Sequence, residues 1–247
     1  MFSGLHFIWL AICAAIIGVL LIMSLIMKWK YKTAAYTATA LASASELVKV
    51  FTRIREATVK GGGMGGFIQV SALPLHLCSM LIFVVFAMTF SKKETTVESL
   101  KSFFVPVALL GGVCSILIPI DGVSFSNVKV WQGFVYHSGI IWFSLYLIIT
   151  KQVDLKLKAY LRNLLILASL VVLMIWLNGA LQIYSTQGIF DVNFFFLVHP
   201  PLENLPILNM NNGYFAYLFT VIGCGWLLIT CVHIGPIIKQ IIQIRKK

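Results

Sequence analysis

Six stretches of the 247-residue chain contain no Asp, Glu, Lys or Arg: 1–27, 61–91, 102–120, 130–150, 163–190 and 204–238. Each holds the roughly 20 apolar residues that a helix needs to cross a hydrocarbon core about 30 Å thick. Within that core the backbone N–H and C=O groups have no water to bond, and a helix satisfies them internally. The runs therefore predict an all-α, polytopic transmembrane bundle. Its helical cores are expected near 5–27, 70–90, 103–120, 131–150, 162–183 and 213–235. Composition agrees: 60% of residues are apolar and 11% charged, against roughly 25% charged in a soluble domain. No polar stretch is long enough for a second domain, so residues 1–247 read as one transmembrane domain of a multi-pass cell-membrane protein. The first run lacks a basic leader and a small-residue cleavage site, which predicts a retained helix rather than a signal peptide.

A seventh helix is expected at 33–51. This segment is weakly apolar, rich in Ala and Ser, and carries Glu46 and Lys49. Facing lipid, each such charge would cost about 2.5–3.5 kcal/mol. Facing other helices, its small residues permit close packing. A surface-lying amphipathic helix is the alternative and would leave six crossings. Loop charges favour seven. The basic end KQIIQIRKK belongs in the cytoplasm, as do 151–162, 91–101 and the KWKYK segment at 28–32. The N-terminus is then external, as are GGGMGG at 61–66, the short loop 121–129 and the long loop 184–212. Prolines 200, 201 and 206 oppose a regular helix in that last loop, which suits a lid or re-entrant segment. The net charge of +11 falls in short segments between apolar runs. It therefore points to anionic lipid headgroups and not to nucleic acid.

Polar side chains inside the apolar runs are the functional clue. His76 and Cys78, after Pro74, lie roughly 10 Å below the outer surface at 1.5 Å per helical residue. His137 falls at similar depth. Asn178 and Gln182 share one helix face, and Asp121 is expected to cap the outer end of the 103–120 helix. A cysteine nucleophile needs a base. His137 is the first candidate, with Asp121 or Glu46 able to orient a histidine. Cys13, Cys114, Cys224 and Cys231 read as inert apolar residues, and His233 as a snorkelling or capping group. His76, Cys78 and His137 could supply zinc ligands, but no HExxH spacing or nucleotide-binding fingerprint is present. No metal or cofactor is expected.

LPLHLCS at 73–79 resembles the hallmark of the YwaF-like bacterial integral membrane family. Residues 111–119, QGFVYHSG at 132–139, Asn178 and NFFFLVHPP at 193–201 extend the resemblance over nearly the whole chain from Trp29 onward. That family is similar to eukaryotic transmembrane protein 164, an acyltransferase that moves polyunsaturated acyl chains between phospholipids without acyl-CoA. The chain departs from the pattern in VHPPLENLPILNMNN, where relatives more often carry a basic residue and a Trp/Pro-rich helix start. Its second helix is also unusually polar. The resemblance implies a lipid acyltransferase or CoA-independent transacylase with Cys78 as acyl carrier. His137 and His76 would complete the catalytic set. Glu46, Asp121, Gln132, Asn178, Gln182, Asn193 and His199 would bind the substrate, a membrane phospholipid or other acylated lipid. The alternative is a non-enzymatic transporter, lipid-binding protein or sensor with the same residues lining a cavity.

Overall fold

A computed structural model describes residues 3–59, 73–185, 192–202, 205 and 207–245, and among the described residues there are seven α-helices and one short 3-10 turn. The helices are α1 (Gly4–Ile26), α2 (Tyr31–Ala57), α3 (Leu77–Phe90), α4 (Glu94–Leu117), α5 (Val128–Ile149), α6 (Leu157–Ser185) and α7 (Tyr214–Arg245). Of these, α1, α4, α5, α6 and α7 are long and apolar enough to cross a bilayer. The protein is a multi-pass membrane protein. The glycine run 61–66 and the side chain of Gln182 lie outside the described residues.

Two of the expected helix ends need correction. The helix expected from residue 70 begins at Leu77, while 70–72 lie outside the described residues. Residues 73–76 form a turn, with the Leu75 amide donating to the Leu73 carbonyl at 2.7 Å. Pro74 lacks an N–H and disfavours helical backbone at the residue before it, so it precedes the helix instead of kinking it. Asp121 does not cap α4. The helix closes at Ile118, whose N–H donates to the Cys114 carbonyl at 2.8 Å, and Asp121 sits exposed in the turn beyond. A helix C-terminus already carries partial negative charge and disfavours a carboxylate cap.

The chain divides into two compact units. The first comprises Met1–Ile68 and Met80–Asp154, the second Gln69–Ser79 and Leu155–Lys247. In the first, α5 is the central helix and packs against α4, α2 and α1. The aromatic anchor is Trp9 of α1. It stacks on Phe134 at 4.6 Å between centroids and on Phe125 at 4.8 Å, and meets Trp131 edge-on at 4.5 Å. Its indole N–H donates to the Val123 carbonyl at 3.0 Å. Beside it, buried His6 donates from Nε2 to the Ile116 carbonyl at 2.9 Å. On α2, Ala34, Ala35, Ala38 and Ala42 are buried; such small side chains let helix backbones approach. Thr39 and Thr89 join α2 to α3 through a 2.8 Å hydroxyl pair.

Among the described glycines, Gly112 leaves the least room for a side chain. A Cβ there would lie 2.8 Å from Ile141 Cγ1 and 3.4 Å from the His137 carbonyl oxygen. The side chain can shift, but the backbone of α5 cannot. Gly112→Leu is expected to cost about 1–3 kcal/mol through overpacking, read as a lower thermal midpoint in detergent.

The second unit pairs α6 with α7. His233 is buried and donates from Nδ1 to the Leu155 carbonyl at 2.9 Å, while its Nε2 accepts from Asn163 Nδ2 at 3.1 Å. It therefore ties the two helices together and does not snorkel. Tyr160 and Thr230 share a 3.0 Å hydroxyl bond, and Gln240 Oε1 accepts from the Leu157 amide at 3.2 Å. That last bond satisfies one of the N–H groups that any helix start leaves without an internal partner.

Candidate functional site

The sequence-expected site residues fall into two groups, one in each unit. In the second unit, the His76 ring packs against Phe194 at 5.6 Å edge-on and against Phe196 at 5.3 Å. LPLHLC and NFFFLVHPP, about 120 residues apart in sequence, thus meet ring to ring. Cys78 is partly buried in the first turn of α3. Backbone N–H groups there have no intrahelical partners, and negative charge is favoured.

The loop that meets His76 is held by two asparagines and a tyrosine. Asn178 of α6 is 3% exposed. Its Nδ2 donates to the Phe194 carbonyl at 3.0 Å, and its Oδ1 accepts from the Phe194 amide at 2.8 Å. One amide side chain thereby completes both backbone groups of a buried residue. Asn193 folds the next segment back: its Oδ1 accepts from the Val198 amide at 2.9 Å and its Nδ2 donates to the His199 carbonyl at 2.8 Å. His199 Nδ1 lies 3.0 Å from the Pro200 carbonyl. Tyr217 of α7 donates its hydroxyl to the Phe196 carbonyl. Between these ties the 3-10 turn Phe194–Phe196 carries positive φ at Phe195 (59°) and Phe196 (55°), a conformation uncommon for residues other than glycine.

The first unit holds the remaining candidates. His137 borders a cavity of about 100 Å³ together with Ser115, Asp121, Lys129 and Gly133. Its Nδ1 donates to the Gly133 carbonyl at 2.7 Å, which fixes the neutral tautomer with the basic lone pair on Nε2. Gln132 donates to Ser45 at 2.6 Å. Glu46 pairs with Lys49 at 2.7 Å, and Glu56 with Lys129 at 2.6 Å. Glu46 and Gln132 are thus committed to their own helix and to α2 respectively. Among the described residues, no three His, Cys, Asp or Glu side chains cluster as a metal site would.

The arrangement fits one comparison. The sequence profile of the TMEM164 family matches residues 1–232. The chain belongs to the TMEM164 family. The match spans both groups of site residues. No curated protein and no solved structure matches the chain.

Sequence reasoning missed Tyr217 and Ser115. Tyr217 stands in an apolar helix and reads there as an interfacial aromatic. Its partner is a backbone carbonyl 21 residues away, which no residue pattern marks. Ser115 reads as a small packing residue until the cavity is seen.

Proposed function

We propose that this protein is a membrane-embedded transacylase that carries an acyl chain between lipids as a thioester on Cys78. The observation that supports this most is the meeting of His76, two residues from Cys78, with the Phe194–Phe196 turn inside one compact unit. Membership of the TMEM164 family supports it further, through the resemblance to a eukaryotic transmembrane acyltransferase. The Cys78 thiolate attacks the ester carbonyl of a phospholipid. The C–S bond forms, the ester C–O bond breaks, and the departing lysolipid oxygen takes up the proton that the thiol gave to a histidine. An acceptor hydroxyl then surrenders its proton to the same base, attacks the thioester and releases the thiolate. No acyl-CoA enters, and atoms and charge balance over the two steps. Thiolate suits both halves because it is strongly nucleophilic and leaves readily.

His76, two residues from Cys78 and in the same compact unit, serves as base and orients the acyl carbonyl. Asp121 and Lys129 give the His137 cavity charges of both signs, which suit a zwitterionic headgroup. His199 stands in the loop as a further headgroup contact. Asn178 and Asn193 serve the site by holding that loop. With the N-terminus external, as the basic loops suggest, this chemistry lies in the outer leaflet.

The test is transfer in vesicles containing a phospholipid with a labelled acyl chain, an unlabelled lysophospholipid and the purified protein, without acyl-CoA. Label should appear in the acceptor. Lipid retained by the protein but returned unchanged would assign the chain to the lipid-binding class instead. His76→Asn should lower the rate at neutral pH by about 10²–10⁴-fold, the usual worth of a general base. Its residual rate should climb as pH rises, because hydroxide then makes the thiolate. A variant with wild-type rate at neutral pH would remove His76 from the mechanism.

A further inference from the structure

The Phe194–Phe196 turn is an unusual thing to place against a functional imidazole. Two consecutive phenylalanines hold positive φ, and neither gains from that conformation locally. Something outside the turn must impose it. Asn178 fixes the Phe194 end through both backbone groups. The Phe196 end is fixed by Tyr217, which is 1% exposed and donates its hydroxyl to the Phe196 carbonyl. Phe196 in turn carries one of the two rings against His76. The chain of contacts thus runs from α7 through one hydroxyl, one peptide and one phenyl ring to the imidazole.

We infer that Tyr217 is a positioning residue for His76, acting through the Phe194–Phe196 turn. Without the hydroxyl, Phe196 loses its anchor, the turn relaxes toward ordinary backbone angles, and the phenyl ring leaves the imidazole. The buried tyrosine itself keeps its packing when changed to phenylalanine, so the loss is confined to the tie. The kinetic consequence rests on the transacylase reading. The structural consequence does not.

The experiment uses full-length protein in lipid nanodiscs with isotope-labelled histidine. The His76 ring signal is assigned by its disappearance in His76→Asn. Tyr217→Phe should move or broaden that signal, lower kcat for acyl transfer by roughly tenfold, and leave KM unchanged, as expected for a small misplacement of a working group. Phe196→Ala, which keeps the carbonyl tie but removes the ring, should alter the same signal. It decides the matter if Tyr217→Phe does not fold. Tyr214→Phe, one turn earlier on α7 and 40% exposed, should change nothing. A His76 signal unaltered in folded Tyr217→Phe overturns the inference, as does one unaltered in Phe196→Ala. A signal that moves in a protein showing no acyl transfer upholds the positioning role and overturns the transacylase reading alone.

Discussion

Purified Cys78→Ala is expected to lose acyl transfer by about 10³-fold or more while keeping its fold. The size follows from the role: removing the atom that carries the acyl group deletes the pathway, and knocking out a nucleophile costs far more than removing a hydrogen bond. The preserved fold follows from the surroundings. Cys78 is only partly buried, in the first turn of a helix whose packing is made by Leu81, Ile82, Val85 and Met88. Exchanging a thiol for a hydrogen at such a position changes stability by about 0.5 kcal/mol or less. Transfer assayed beside the thermal midpoint separates the two effects. Cys114 and Cys231, both exposed, serve as controls, and their alanine variants should retain the wild-type rate.

The largest effect on stability is expected at Trp9. Its indole is wholly buried, stacked between Phe134 and Phe125, edge-on to Trp131 and bonded to the Val123 carbonyl. Trp9→Ala removes all four contacts and leaves a void bounded by α1, α5 and the turn before α5. Truncating a buried tryptophan costs about 3–5 kcal/mol in cores where the site cannot collapse. In lipid the apolar transfer contribution is absent, because chains of the bilayer are as apolar as the interior. Packing and the indole bond remain, which places the expected loss near the lower end, about 3 kcal/mol. Denaturation by a strong detergent, followed by intrinsic fluorescence or circular dichroism, measures it. Trp9→Phe should recover part of the loss, since a phenyl ring can keep the stack on Phe134 but not the bond to Val123.

What could be read from the sequence follows from what a bilayer demands. A crossing helix must be apolar for about 20 residues, so α1, α4, α5, α6 and α7 were legible as uncharged runs. The small residues of α2 were legible for a related reason: Ala34, Ala35, Ala38 and Ala42 have a use only against a neighbouring helix. Helix ends were less legible, because charge marks the edge of the apolar run and not of the helix. Lys101 shows the difference. It is buried, held 2.7 Å from Glu98 and 4.1 Å over the Tyr31 ring, so α4 continues to Glu94 beyond the uncharged part. A helix running through Pro74 would need an N–H donor that proline lacks.

The candidate site divides in the same way. Chemistry-bearing residue types stood out against an apolar background, which is why His76, Cys78 and His137 could be singled out. Their supports could not be. Asn178 looked like a ligand for substrate, yet it bonds both backbone groups of Phe194. His233 looked like an interfacial group, yet it bridges Leu155 and Asn163 in the interior. In each case the partner includes a main-chain carbonyl or amide, and every residue carries those groups alike. Only a three-dimensional structure says which of them is near.

The account stands on one sulfur atom. The most direct test is the intact mass of the purified protein after brief incubation with a phospholipid of defined acyl composition and no acceptor. The account predicts a single added acyl chain, released by neutral hydroxylamine, located on the peptide containing Cys78 and absent from Cys78→Ala. Transfer to an added acceptor with no adduct at Cys78 in the wild type, or with an equal adduct in Cys78→Ala, would contradict it.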